Sequence, residues 1–567
     1  MMKKTPRTFL PSDLSIHTWE DIAPYFDALE QRSLATKTDI ETWLAQRSEL
    51  FSAYDEELAW RYIRMNCNTN NEELFHGFNQ FIANTQAKVE TYSNRLDKKL
   101  HDSPAYQLFP EEKYQLMFRS IRTGIELFRE ENVEIKADLQ QQINEYGLIS
   151  SNMSVEHDGE TYTMQAAGNF LQNTDRSLRQ VIFEKMGKRR LEDKERLDVL
   201  LDDLLAKRHR LALNAGFDNY RDYKYVEMER FDYGVDDVHR FHKAIEQEVK
   251  PLVEEIHRKR LAQLGYDRLR PYDLKVDPSM LPPLHPFKTG SELLEKSIRV
   301  FHRIKPEFGE FLDTMRRMEY LDLESRLGKA PGGFNYPLYE SNVPFIFMNA
   351  TGNLRDLETL MHEGGHAIHS FLSASLDMVD FKQTPTEVAE LASMSMELMS
   401  MDYWDEFFNP SDWIRAKRSQ LEGVLDVLPW VATIDAFQDW LYTHPGHSHN
   451  ERKEAWSTIA ARFGSSLVDW SGYEDIAAYR WQAQLHIYEV PFYYIEYAMA
   501  QLGAIGVWRN FESDKNSAIE AYTRALSAGY TRNIPALYEL AGVRFDFSAS
   551  YIHELMQFVQ KELSKLA

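Results

Sequence analysis

His362-Glu363-Gly364-Gly365-His366 sets two imidazoles four residues apart inside a run, Asp356 to Leu372, whose pattern is helical. At about 3.6 residues per turn both rings fall on one face, one turn apart, where they can reach a single tetrahedral ion. Glu363 stands beside them, close enough to touch a water on that ion without binding the ion itself. An ion so held lowers the pKa of water towards neutrality and the carboxylate takes the proton, which is the chemistry of a metal-assisted hydrolase. Leu357, Leu360, Met361, Ile368, Phe371 and Leu372 supply the apolar stripe that buries the rest of the helix. Two adjacent glycines inside a helix each cost about 1 kcal/mol relative to alanine. Their presence points to a close approach by backbone or substrate.

A catalytic ion of this kind takes a third protein ligand and keeps a fourth position open. A third histidine on the same run would need glycine and then histidine where this chain has His369 and Leu372, so that arrangement is absent. The next helical stretch, Thr386 to Glu397, offers Glu387, Glu390 and Glu397. Glu390 and Glu397 share a face and Glu387 lies one turn before Glu390; spacing does not choose among the three.

The elements around these residues read as mainly helical. Leu191 to Asn214 shows leucines at three- and four-residue intervals and ends at Gly216, a plausible left-handed terminator. Residues 20–190 carry similar amphipathic stretches. Gly265 to Gly290, with five prolines, reads as an irregular crossing segment. Tyr320 to Asn349 is the one region that reads as strands, a small sheet whose edge could take up a peptide. His444-Pro445-Gly446-His447-Ser448-His449 reads as an exposed loop and not as a metal site.

Composition narrows the function classes. Apolar residues at 43% and charged residues at 27% exclude a disordered or membrane-embedded chain. No run approaches the ~18 apolar residues of a membrane span. The basic start, Met1 to Arg7, is followed by Phe9 to Trp19, which Pro11, Asp13 and His17 interrupt, so no export signal is read and a cytoplasmic location is expected. The single cysteine, Cys67, excludes an intrachain disulfide framework and is read as structural. A net charge of −23 repels phosphate backbones and argues against a nucleic-acid partner.

Several segments in order resemble the M3 family of zinc metallopeptidases, the oligoendopeptidase F branch more than the thimet oligopeptidase branch. They are Gly328-Lys329-Ala330-Pro331-Gly332-Gly333-Phe334, Pro344 to Asn349, Thr359 to His369, the Glu390, Ser393 and Glu397 element, and the His- and Tyr-rich run from His486 to Tyr497. The resemblance covers about residues 200–550.

The resemblance implies one zinc ion per chain, held by His362, His366 and Glu390, with Glu363 as general base. Glu397 would accept the remaining ring N–H of a ligand histidine. His369 matches a family position to which no chemical role attaches. His486 and two tyrosines would stand near the scissile carbonyl; Tyr493 and Tyr497, i and i+4 after Pro491, are the assigned pair, with Tyr488 and Tyr494 as competitors. The fold implied is a mainly α, two-lobed, ellipsoidal zincin-type peptidase with a deep central channel and a small β-sheet beside the site helix. Residues 1–190 would form one wall, and residues 191–567 the catalytic region, its zinc-binding core at about 320–500. The expected activity is endopeptidase action on short oligopeptides. A zinc carboxypeptidase or dipeptidase, or a non-catalytic peptide-binding protein with the same cleft, are the alternatives.

Overall fold

In a computed structural model, which describes residues 6–326, 328–330 and 332–566, the chain is mainly helical with two small sheets among the described residues. Met1 to Thr5 of the basic start, and Pro331 of the glycine-rich segment, lie outside the described residues.

Caps set the helix boundaries as much as apolar stripes do. Thr36 opens α1 (Lys37–Cys67): its hydroxyl accepts the Asp39 N–H at 3.2 Å, and the Asp39 carboxylate accepts the Thr36 N–H at 3.0 Å. Asp158 and Gly159, both at positive φ, turn a hairpin between β1 (Ser154–His157) and β2 (Glu160–Thr163). That hairpin interrupts a region whose periodicity reads as helical. The leucine-rich run also departs from expectation at its start. Asp193 breaks it, so Leu191 falls in the last turn of α2 (Arg176–Glu192) and α3 begins afresh at Lys194–Asn214. Its end is as expected, with Gly216 at φ 91°. Between Gly265 and Gly290 the chain is irregular apart from one short helical turn, Pro271–Asp273, pinned because buried Asp273 accepts hydrogen bonds from Arg176 and Arg179 of α2.

α4 (Gly290–Ile304) precedes a three-stranded sheet of β3 (Leu321–Glu324), β4 (Phe334–Tyr336) and β5 (Phe345–Ala350), in the order β3-β5-β4. β5 is the apolar central strand, parallel to β3 and antiparallel to β4. The ammonium of Lys329 locks the layer. It donates to the carbonyls of Asp322 and Glu324 on β3, to the carbonyl of Met348 on β5, and to the Asp322 carboxylate at 2.8 Å. After Gly352, at φ 99°, the chain enters α5 (Leu354–Ser373) through a double cap. Asn353 accepts the Asp356 N–H, and Asp356 accepts the N–H groups of Thr351, Gly352 and Asn353 at 2.6–3.1 Å, which ties the first turn of α5 to the end of β5. α6 (Thr386–Ser400), α7 (Pro410–Thr443) and α8 (Tyr494–Ser513) complete the elements around the functional residues.

Two compact units make up the chain, each drawn from three stretches: residues to Phe128 with His285–Trp413 and Ala500–Phe545, and Arg129–Leu284 with Ile414–Met499 and the residues from Asp546 onward. The first contains the three-stranded sheet, α5 and α6, and a core built on Phe26, Trp43, Leu96 and Phe118. The second contains the hairpin, α7 from Ile414 onward and the start of α8. No described helix is long and apolar enough to cross a membrane.

Candidate active site

On α5, one turn apart, the His362 and His366 rings stand nearly perpendicular, their centroids 4.9 Å apart. Glu390 reaches them from α6: its Oε2 lies 3.3 Å from His362 Nε2 and 3.6 Å from His366 Nε2. One ligand atom from each of the three residues falls within 4.8 Å of the others. Metal–ligand bonds of about 2.0–2.2 Å in tetrahedral geometry put ligand atoms about 3.3–3.6 Å apart, which both Glu390–imidazole separations match, so this donor set fits a divalent ion. Two imidazole nitrogens and a carboxylate suit zinc, and the same set accepts cobalt or manganese.

Two of the three donors are held from behind. Glu397 Oε1 sits 2.7 Å from His362 Nδ1, and the Ser393 hydroxyl donates to Glu390 Oε2 at 2.9 Å. Burial alone would raise Glu390, but the imidazoles of His366 and His362 and the Ser393 hydroxyl outweigh it and hold its carboxyl at about 2. Burial alone would lower His362; hydrogen bonds to Glu390 and Glu397 lift it well above the usual histidine range. His366 goes the other way, pushed down to about 4 by burial.

The adjacent glycines have a packing cause. A Cβ on Gly365 would meet the Ser393 Cα at 2.6 Å and the Ala392 carbonyl at 2.8 Å, so α5 and α6 touch backbone to backbone. A Cβ on Gly364 would meet the Phe301 ring of α4 at 2.4 Å. The close approach inferred from sequence is therefore made by neighbouring helices. α6 is further fixed by the Tyr522 hydroxyl on the Ala392 carbonyl and the Tyr538 hydroxyl on the Glu387 carbonyl.

Glu363 is buried beside the pair. Burial pushes its carboxyl up to about 7, with His362 pulling it down and Glu390 and Glu397 adding to the rise. Its backbone carbonyl accepts Asn335 Nδ2 of β4 at 3.4 Å, which joins the edge strand to the site helix. Glu387, the third candidate carboxylate, is buried but stands outside the group of three. His369 is buried with no hydrogen bond at Nε2, and burial pushes it down to about 3, which describes a neutral packing histidine.

His486, Tyr493 and Tyr497 belong to the second unit. Rings of Tyr494, Tyr497 and Tyr493 surround His486 at centroid distances of 4.6, 5.8 and 6.1 Å. The expected i,i+4 pair needs a correction: α8 begins at Tyr494, so Tyr493 sits in the preceding turn, although its ring still meets that of Tyr497 at 5.4 Å. That turn contains Phe492 at φ 67°, a left-handed conformation costly for a bulky residue. It is held by Gln438 of α7, which accepts the Phe492 N–H, and by Arg230, which donates to the Phe492 carbonyl and pairs with Glu496 at 3.0 Å. Tyr488 drops out as a competitor. It is fully buried, stacked on Tyr146 at 4.3 Å, with its hydroxyl turned to the Leu197 carbonyl.

The histidine-rich loop is engaged locally. His444 stacks on Trp440, His447 accepts from Arg452 Nε, and His449 pairs with Asp202 at 2.7 Å. Burial pushes the Cys67 thiol up to about 12, so it is an inert, half-buried residue at ordinary pH.

The site residues all lie within one of two matched regions. The profile of peptidase family M3 matches residues 169–557, and that of the peptidase M3 N-terminal domain matches residues 9–128. The chain belongs to peptidase family M3. It is similar to the oligoendopeptidase F homolog of Borreliella burgdorferi, 23% identical over 403 residues that cover 68% of this chain and 63% of that protein. It is also similar to the oligoendopeptidase F homolog of Lactococcus lactis, 23% identical over 336 residues, 57% of this chain and 53% of that one. The matches thus span less than two thirds of either relative's own length. Among solved structures, PZ peptidase A with inhibitor 2 has the same fold, with a TM-score of 0.91 at 24% identity over 96% of this chain and 97% of that chain.

Proposed function

We propose that the protein is a zinc-dependent endopeptidase that hydrolyses internal bonds of short oligopeptides in the cytoplasm. The observation that carries this reading is the convergence of His362 Nε2, His366 Nε2 and a Glu390 oxygen beside the buried carboxyl of Glu363. Zinc held there supplies Lewis acidity to a water and to a carbonyl oxygen. Glu363 takes a proton from the attacking water and returns it to the leaving amine, and its burial beside the histidine pair favours the protonated state that makes the return. Glu397 keeps His362 in the tautomer that leaves Nε2 available for ligation. The family resemblance implies that His486, Tyr493 and Tyr497 would donate hydrogen bonds to the carbonyl oxygen as negative charge builds on it. β4 has no partner on its outer side among the described residues, and its edge would add an extended peptide as a further strand, binding backbone with little regard for side chains.

The test is Glu363→Gln. The variant is expected to retain one zinc per chain while turnover of a quenched fluorescent peptide falls by about 10²-fold or more. Undiminished turnover would rule the mechanism out. Mapping the products of a peptide blocked at both ends checks endo-action, and rapid digestion of an intact folded protein would contradict a preference for short substrates.

A further inference from the structure

We infer that Gln484, held in place by Trp430, is a positioning residue that fixes His486 as its Nε2–H tautomer. The inference follows from one obligate donor. An indole N–H can only donate, and Trp430 Nε1 lies 3.1 Å from one end of the Gln484 amide. That end is therefore the carbonyl oxygen, and the NH₂ end is the one 2.7 Å from His486 Nδ1. An amide NH₂ has no lone pair to offer. Nδ1 must then be the accepting nitrogen, and the ring proton resides on Nε2.

The relay is rigidly mounted. Trp430 follows Pro429 within α7, meets Trp456 edge to face at 5.9 Å, and carries the Arg480 guanidinium on its face at 4.1 Å. The His486 carbonyl accepts the Val490 N–H at 3.2 Å and lies 3.4 Å from Gln438 Nε2, which fixes the backbone from which the ring projects. A second ring proton would set Nδ1–H against the amide N–H, donor against donor.

The chain thus carries two histidines with opposite partners at Nδ1. Glu397 accepts from His362 Nδ1 and leaves Nε2 with a lone pair for a metal; Gln484 donates to His486 Nδ1 and leaves Nε2 with a proton to give. An Nε2–H is a donor that can hydrogen-bond a carbonyl oxygen. In that respect the inference rests on the role proposed above for His486.

The experiment is imidazole ¹H–¹⁵N correlation spectroscopy on the zinc-loaded, full-length enzyme labelled in histidine, with the His486 signals assigned by their loss in His486→Ala. The wild type is expected to show the proton on Nε2 at neutral pH. Gln484→Glu, which puts an acceptor opposite Nδ1, is expected to move the proton to Nδ1 and to lower kcat about tenfold or more with KM nearly unchanged. Trp430→Phe keeps the aromatic packing but frees the amide to turn, so it is expected to shift the tautomer balance with an intact fold. A protonated Nδ1 in the wild type, or a Gln484→Glu spectrum identical to it, overturns the inference. The spectra decide the tautomer even in an enzyme without peptidase activity, so failure here and failure of the proposed function are read separately.

Discussion

Glu397 Oε1 stands 2.7 Å from His362 Nδ1, bridging the two helices that carry the candidate metal-binding group. The carboxylate holds the ring at the angle that aims Nε2 at Glu390 and makes the imidazole a stronger base. Glu397→Leu should therefore weaken zinc binding by about 10–100-fold while His362, His366 and Glu390 are all still present. Competition against a chromogenic chelator measures it. Wild-type affinity in this variant would show that helix packing alone orients His362.

Packing does part of that work at Gly365. The Ser393 backbone that a Cβ would strike carries, three residues earlier, the Glu390 ligand, so widening this contact moves a donor by the same step. Gly365→Ala should cost about 1–3 kcal/mol of stability and also lower metal content. Gly364→Ala presses first on the Phe301 ring, a side chain that can shift, and should be the milder change. Urea denaturation and metal analysis of the two variants check the ranking; equal behaviour would remove the backbone contact as the cause.

The sequence exposes this site to a reader where local chemistry repeats a helical period. His362 and His366 need only 3.6 residues per turn to meet, and the apolar run of β5 marks a buried strand. Choosing Glu390 over Glu387 depends on the α5–α6 crossing, which Gly365 sets and no spacing reveals. The β1–β2 hairpin is signalled by Asp158-Gly159, yet its strands are four residues each and lie among long amphipathic helices. Tyr488 and Tyr494 are alike in sequence; one is stacked out of reach on Tyr146 and the other faces His486, a distinction made by tertiary packing alone. Gln484 carries no motif. Its meaning appears only when Trp430, 54 residues away, is placed beside it.

Tyrosine substitutions separate packing from chemistry around His486. Tyr488→Phe loses only a long contact, 3.4 Å to the Leu197 carbonyl, and should leave kcat within about twofold. Tyr497→Phe and Tyr493→Phe remove hydroxyls assigned to the carbonyl oxygen; each should lower kcat by about 10²-fold with a small change in KM. Steady-state kinetics on one peptide compares all three. A full loss in Tyr494→Phe, with Tyr493→Phe unaffected, would move the assignment by one residue.

Acid should loosen the sheet beside the site through Asp322. Burial would raise this carboxyl, but hydrogen bonds from Arg326 and Lys329 outweigh it and hold it at about 2, against an ordinary value of 3.8. A carboxyl depressed in the folded state contributes stability that is complete above its unfolded pKa and is lost as pH falls through the folded one. The window therefore runs from about pH 4 down to about pH 2. Asp322→Asn removes the charge and leaves the buried Lys329 ammonium with carbonyl partners only, so the variant should be less stable than the wild type at neutral pH. The gap between their urea midpoints should stay level down to about pH 4 and then narrow as the wild-type carboxyl takes up its proton. A gap that keeps its size through that window would mean that Lys329 is held by the β3 and β5 carbonyls without help from the carboxylate.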